Sequence, residues 1–478
     1  MKRVFVGSFL VSVLCMNSLR AQDPATGGKL TIQQAIETGL AKNLDVKNAE
    51  ILMRQNKIDW NQARLDMLPD LNGSASSGIN TGRSIDPNTN NYITQQVNYA
   101  TYGLNSGVIL FNGLAMQNTS KSTALYYQAA KMDWQQVKDN LTINIILAYL
   151  QVLTNEDLLA QAQSQAGLSR QQMERLEILN KDGAILPSLL SDLKGQYAND
   201  QLTIIGAVNT LESSKIDLSR LMNVPYDTNV QLERISAESY ATKYEATPDS
   251  IYLTALEQFS MIKAVDFRVE AGRRDVKAAR GRLFPILSLN AGTSTNYSTA
   301  ARNQVLLSTS EFTSTDYVTV NGIATPVIKQ EGNYSFDKIG YGKQLNNNFG
   351  SNVSLNLNIP IFNALIQRNR VKRAKIALEG FDAEAKTTKT QLQLNIEQSY
   401  MNMTTASNRY KTLIDQVAAY TESFNSAEIR FNAGVGTSID YLTAKNNFDR
   451  SNINLIAAKY DYVLRTKILD YYQGKQLW

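Results

Sequence analysis

The chain repeats itself, and the repeat comes in two registers. At a separation of 216 positions, Ala63, Arg64, Pro69, Leu71 and Ala75 recur as Ala279, Arg280, Pro285, Leu287 and Ala291. At 251 positions, Phe111, Asn112, Leu141, Ile145, Tyr149 and Gly183 recur as Phe362, Asn363, Leu392, Ile396, Tyr400 and Gly434. Self-similarity of this kind means one supersecondary unit used twice. The step from 216 to 251 places a single 35-residue insertion in the second copy, between Ala291 and Phe362. A chain of 478 residues would ordinarily suggest two or three globular domains. The repeat points instead to one body of two similar halves: residues 22–222 and 249–470, joined by a linker at 223–248 and followed by a tail at 471–478.

Residues 1–21 have a different character. Lys2 and Arg3 precede an apolar run from Val4 to Met16, then a polar stretch from Asn17 to Gln22. That is the pattern of a secretory signal peptide cut after Ala21, with Leu19 standing where a small residue is usual. Lipid attachment at Cys15 is the second possibility, and Leu14 is bulky for it. Cutting after Ala21 removes the only cysteine, so the exported chain has no disulfide. Of 48 basic and 43 acidic residues, Lys2, Arg3 and Arg20 leave with the leader, and the near-neutral remainder calls for no nucleic-acid partner. No later segment holds the roughly 18 consecutive apolar residues of a membrane-spanning helix. An exported chain without one is periplasmic, secreted, or an outer-membrane β-barrel.

Each half reads as helix, strand, loop, strand, long helix, turn, helix. The opening helices run from Thr31 to Leu68 and from Asp249 to Phe284, each ending at a proline, Pro69 or Pro285. After the prolines the period changes to two. Leu71, Gly73, Ala75, Ser77 and Ile79 alternate weakly with Asn72, Ser74, Ser76 and Gly78. From Phe349 to Phe362 the alternation is strong: Val353, Leu355, Leu357 and Ile359 share one face, Asn352, Ser354, Asn356 and Asn358 the other. Its counterpart keeps Tyr102, Leu104, Val108 and Leu110 together. A barrel strand with lipid outside and water inside has this pattern, and so does an ordinary sandwich strand. The intervening Asn80 to Thr101 and Thr293 to Asn348, rich in Asn, Thr, Ser, Gly and Tyr, read as solvated loops.

The helices that follow are long. Leu114 to Asn180 contains no proline and only Gly167; Ala364 to Asn432 contains no proline and only Gly380. Leu141, Ile145, Ala148 and Val152 form one seam, Ile143, Ile146, Leu150 and Leu153 another, so each helix expects neighbours on two sides. Heptads mark the return helices: Leu193, Tyr197, Ile204, Val208, Leu211, Leu218 and Met222, broken by Asp200 and Lys215, and then Tyr441, Phe448, Leu455, Tyr462 and Leu469. The hairpin turns fall near Gly183 to Pro187 and Gly434 to Thr437.

Four strands per chain cannot close a barrel, so a membrane reading requires several copies. Two copies supply eight strands, with an interior that side chains fill; three supply twelve, which leave an open lumen. The Asn and Ser face favours three.

Taken together, the chain resembles the TolC-like outer-membrane efflux proteins over nearly its whole length after the leader. The phrases that carry the resemblance are Ala279-Arg280 to Pro285 leading into a strand, Ile359-Pro360-Ile361-Phe362-Asn363 leaving one, and Arg430-Phe431-Asn432-Ala433-Gly434 followed by Thr437 to Leu442. The resemblance implies an α+β, mostly α fold: a trimeric twelve-stranded barrel continued by a helical periplasmic tunnel, with Asn223 to Thr247 and the tail in a belt around it. It implies a homotrimer in outer-membrane lipid, a periplasmic adaptor docking at the hairpin tips around Gly183, Gly434, Gly436 and Thr437, and an inner-membrane pump. It also implies acidic rings at the tunnel's narrow end. Asp440 occupies the first such position, Thr443 the second, and the first half has Leu189 there with Asp192 one turn on. The family's tyrosine and arginine latch positions are Phe431 and Gly436, which cannot make that latch.

Catalytic chemistry is sparse. With no histidine there is no imidazole base, no Ser-His-Asp triad and no histidine metal site. Carboxylates such as Glu379, Asp382 and Glu384 are interleaved with Lys372, Arg373, Lys375 and Lys386, as on a solvated face. No phosphate-binding glycine loop precedes a helix, and no cofactor is called for. The expected role is therefore a passive exit duct. The alternatives are a structural or adhesive envelope protein and, third, an envelope hydrolase working with carboxylates alone.

Overall fold

The computed structural model describes residues 29–85, 90–94, 96–235 and 246–475. The expected leader, with Cys15 and Ala21, lies outside them, as do 236–245 of the linker and the last three residues. The first half comprises α1 (Ile32–Lys42), α2 (Leu44–Leu65), β1 (Asn72–Asn80), the short β2 (Arg83–Ile85) and β3 (Tyr92–Thr94), β4 (Val97–Phe111), α3 (Ala115–Lys181) and α4 (Pro187–Met222). The second comprises α5 (Pro248–Gln258), α6 (Ser260–Gly281), β5 (Ile286–Ser298), β6 (Arg302–Val320), β7 (Ile323–Lys338), α7 (Tyr341–Asn347), β8 (Gly350–Asn358), α8 (Ile366–Asn432) and α9 (Ser438–Tyr472). Both ends of α1 and α2 recur in α5 and α6 at the 216-residue separation, and both ends of α3 recur in α8 at 251. Even an uncommon turn is copied: Gly113 and Leu114 before α3, and Ala364 and Leu365 before α8, all have positive φ.

Two expectations change. The opening helix of each half is broken once, at Asn43 and at the equivalent Phe259, both with extended backbone. Neither proline nor glycine marks these breaks. At the first, the Asn43 amide closes α1 onto the Gly39 carbonyl, while its side chain accepts from the Asp45 N–H at 2.8 Å and donates to the Leu221 carbonyl at 3.0 Å. The second correction concerns the presumed loops. Part of Asn80 to Thr101 is strand, and the insertion is mostly an antiparallel ribbon, β6 on β7. Its tip is Asn321-Gly322, both with positive φ, the pair that suits a two-residue hairpin turn matching the twist of its strands.

The chain folds into two compact units, and each half contributes to both. One unit contains Asn48–Gln136 and Glu257–Leu392. Its sheet has the order β1-β4-β5-β8, every pair antiparallel. Beside it, Arg268 pairs with Asp133 at 2.5 Å and Tyr126 donates to Asp275 at 2.9 Å, tying α6 to the first part of α3. Gly113 and Gly281 face each other so closely that a Cβ on either would meet the other's carbonyl oxygen, at 2.2 and 2.5 Å.

The other unit contains, of the described residues, 29–47, 137–256 and 393–475. Both seams foreseen on α3 are covered: Leu141, Ile145, Val152, Ile146, Leu150 and Leu153 are all buried. Buried Tyr149 places its hydroxyl 2.7 Å from the Leu30 carbonyl and 2.9 Å from that of Glu233, where Leu30 and Leu232 form a parallel bridge. On α4 the heptad positions Leu193, Leu211, Leu218 and Met222 are buried, but so are the polar Asp200 and Lys215, whereas Val208 is exposed. No described helix is long and apolar enough to cross a membrane.

Candidate functional site

The four paired strands contain no charged residue. Their register sorts what they do contain. Leu357, Leu355 and Val353 of β8 lie opposite Leu287, Leu289 and Ala291 of β5, and Leu289 in turn lies opposite Val108 of β4. On the alternate positions Asn356, Ser354 and Asn352 face Ser288, Asn290 and Gly292, and Gly292 faces Asn105, which faces Asn72. One side of the sheet is aliphatic and the other uncharged polar. Both are open, with Val353 and Leu355 at 74% and 62% exposure.

Two details correct the strand expectation. Strand β8 ends at Asn358, because Pro360 has no N–H for the ladder, so Ile359 lies just beyond it. A bulge between Ile109 and Phe111 puts Phe111, rather than Leu110, opposite Leu287. Pairing of β5 with β8 stops at Ser294 and Gly350, and α7 takes over. Its buried Gln344 amide bonds both the N–H and the carbonyl of Ser298, each at 3.0 Å, in the manner of a neighbouring strand. Among the described residues β1 pairs only with β4 and β8 only with β5, leaving two strand edges unmatched.

The hairpin tips are built by repeated local rules. At the end of α3 the Ala184 N–H reaches the Leu179 carbonyl at 2.9 Å and the Gly183 N–H reaches Asn180 at 3.1 Å; Val435 to Arg430 and Gly434 to Phe431, both at 3.1 Å, copy this at the end of α8. Such a closure needs a left-handed residue, and Gly183 and Gly434 have φ of 72° and 77°. Gly436 is glycine for another reason: a Cβ there would lie 3.0 Å from the Phe431 nitrogen. Each return helix then starts afresh, α4 with Pro187 at its first turn, α9 with Thr437 accepting from the Asp440 N–H at 3.1 Å.

Asp440 and Asp192 are both exposed. Thr437 also donates its hydroxyl to the Asp440 carboxylate at 2.8 Å, so Asp440 serves as a helix-start acid. Among the described residues no hydrogen bond or ion pair links its hairpin start to Asp192. Phe431 turns inward. It stacks on Tyr441 at 4.9 Å, within a core shared by Leu176 of α3, Leu193 of α4 and Phe424 of α8. Both hairpins of one chain thus meet in a common apolar core.

Two features were not anticipated. Arg175 of α3 bonds the side chain of Asn432 and, at 2.6 Å, its backbone carbonyl, placing a cation on the last turn of α8. Its partner lies 257 positions away, and nothing local in the sequence marks it. The second is a buried set around Asp200: Lys445 lies 3.3 Å from Asp200 and 2.7 Å from Asp449. Here a signal did exist, since a charge at a core heptad position implies a buried partner.

Comparison with known proteins agrees with this geometry. Residues 251–470 match the family described as outer membrane efflux protein. The outer membrane protein TolC of Salmonella enteritidis is 18% identical over 419 residues, covering 87% of this chain and 76% of that protein. Among solved structures, the transmembrane channel protein CusC superposes with a TM-score of 0.75 at 16% identity, covering 93% of this chain and 92% of its own. VceC, an outer membrane protein of Vibrio cholerae, gives 0.74 at 15% identity, covering 94% and 97%. The direct family match falls on the second half, and the first half repeats its element boundaries at fixed separations. Residues 251–470 thus match the outer membrane efflux protein family, and the chain as a whole is similar to the TolC-like outer membrane efflux proteins.

Proposed function

We propose that the protein is the outer-membrane exit duct of a tripartite efflux or type I secretion assembly. The observation that carries this reading is the charge-free sheet with one aliphatic face, one polar face and two unmatched edges. Backbone edges cannot stay unpaired in lipid, so the sheet has to be closed by other copies. Strands of nine residues, as in β1 and β8, have the length of tilted membrane-crossing strands. Three copies give a twelve-stranded barrel with Val353, Leu355, Leu357 and, at its margin, Ile359 against lipid. Asn352, Ser354, Asn356 and Asn358 then line water.

The duct is passive: an inner-membrane pump drives transport through a periplasmic adaptor. The adaptor docks on the tips at Gly183, Gly434, Gly436 and Thr437. Asp440, with Asp192 in the other hairpin, forms the acidic constriction, which fits the exposure of both carboxylates. Reconstitution into planar bilayers combined with native mass measurement tests the reading. A trimer that conducts ions is the expected result. A monomer or dimer with the same conductance would remove the trimer, and a trimer without conductance would remove the duct.

A further inference from the structure

Three charged side chains are sealed among the helices that form the hairpins. Lys445 of α9 is 0% exposed, Asp200 of α4 5% and Asp449 of α9 8%. The Lys445 ammonium donates to both carboxyl groups, at 3.3 Å to Asp200 Oδ2 and 2.7 Å to Asp449 Oδ2. The two carboxyls are not equally provided for. Asp200 also accepts from the Ser169 hydroxyl of α3 and, at 2.7 Å, from the Gln196 amide of its own helix. Asp449 has only the lysine, and its Oδ1 has no hydrogen-bond partner; the buried Gln165 amide of α3 faces it without closing a bond.

One ammonium can balance one carboxylate. If all three groups were ionised, an uncompensated negative charge would sit where water cannot reach it, which is strongly unfavourable. A single bound proton removes the excess. Asp200, with three donors, is furnished as the anion, and Asp449, with one, is the place for the proton. Burial pushes the Asp449 carboxyl above the usual carboxylate range; Lys445 opposes the rise, Asp200 adds to it, and the nearby Gln165 amide also opposes it. The other ionisable neighbour on α9 is Tyr441, whose hydroxyl burial pushes up, with Glu428 of α8 reinforcing the shift. Those two groups give the site no second cation.

We propose that Asp200, Lys445 and Asp449 form a buried proton-binding switch that holds α4 against α9 while Asp449 is protonated and loosens them when it ionises. The direction follows from linkage. Asp449 binds its proton more tightly in the packed state than in an opened one, so below the ordinary carboxylate range the packing is unaffected. As pH rises from there through the raised value, each unit favours opening by up to about tenfold, for one proton released. Because the leader reads as a secretory signal, the exported protein meets the pH of its surroundings directly.

Amide hydrogen exchange on the full chain in detergent, corrected for the intrinsic pH dependence of exchange, tests this without relying on the duct reading. In the wild type, opening of α9 around Tyr441 to Arg450 and of α4 around Leu193 to Ile204 should rise as pH climbs above the ordinary carboxylate range, by up to about tenfold per unit until Asp449 has ionised. Asp449→Asn and, independently, Asp200→Asn each remove one carboxylate, and each should flatten the slope. Peptides from β5 should show no slope in any form. A flat wild type overturns the proposal, as does a slope unchanged in both variants or one of equal size in β5.

Discussion

In the four-stranded sheet, Val353, Leu355 and Leu357 stand 74%, 62% and 61% exposed and two strand edges go unmatched; at the hairpin tips, Leu193 and Tyr441 are sealed at 1% and 0%. The tips complete themselves. Their helix ends are capped by their own backbone, their core draws on four helices of one chain, and Arg175 ties one hairpin to the other. The sheet, by contrast, has two unmatched edges, which on the proposed reading are met only by other copies within lipid. Association should therefore be indispensable to the sheet and dispensable for the local fold of the tips.

The largest effect expected is at the tips. Phe424 stacks on Phe448 at 5.2 Å and packs against Tyr441, so Phe424→Ala should cost about 3–5 kcal/mol locally. Proteolysis near the tips should accelerate while the trimer still forms; loss of the trimer would show that the two regions are not separable. Next comes the sheet. Leu355→Arg puts a charge on the aliphatic face at about 2–4 kcal/mol per chain near the bilayer centre, and membrane assembly should fail, whereas Asn356→Asp should assemble nearly normally. Heat-modifiable migration on gels reads both, and equal yields would exchange or abolish the face assignment.

Gly434→Val is smaller. Nothing lies within 4 Å of a Cβ there, so its cost is backbone strain alone, about 1–2 kcal/mol for a left-handed residue. Barrel insertion should survive and adaptor-dependent efflux should fall. Normal efflux from the inserted variant would give the turn a different role. Asp440→Asn should scarcely change stability, yet cation selectivity in single-channel records at low salt should drop, because a ring of like charges selects by sign. Unchanged selectivity would leave Asp440 as the helix-start acid it is seen to be.

The same contrast explains what could be read from the residues. Repetition made the helices legible, since Pro69 and Pro285 or Gly183 and Gly434 announce the same ends twice. Alternation from Asn352 to Asn358 made the sheet's faces legible before any pairing was known. The ribbon β6–β7 was not, because Thr, Ser, Asn and Tyr suit a solvated loop as well as an exposed strand; Asn321-Gly322 was the overlooked sign. The breaks at Asn43 and Phe259 had no sign of the usual kind, and the contact of Arg175 with Asn432 depends on a tertiary arrangement no local pattern encodes. Asp200 lay between these cases. Its place in the heptads marked it as a polar break, and the buried partner such a charge requires was not read from it.

The ribbon leaves the sheet after β5 and returns before β8, two strands already paired to each other from Ile286 to Ser294. An excursion between adjacent strands disturbs no register, and doubling such a loop costs only about 0.6 kcal/mol in closure entropy. The second copy can thus lengthen, shorten or diversify this segment while the pairing beneath it stays constant. For the experimenter, the turn at Asn321-Gly322 is where a peptide tag can be inserted and the sheet left intact.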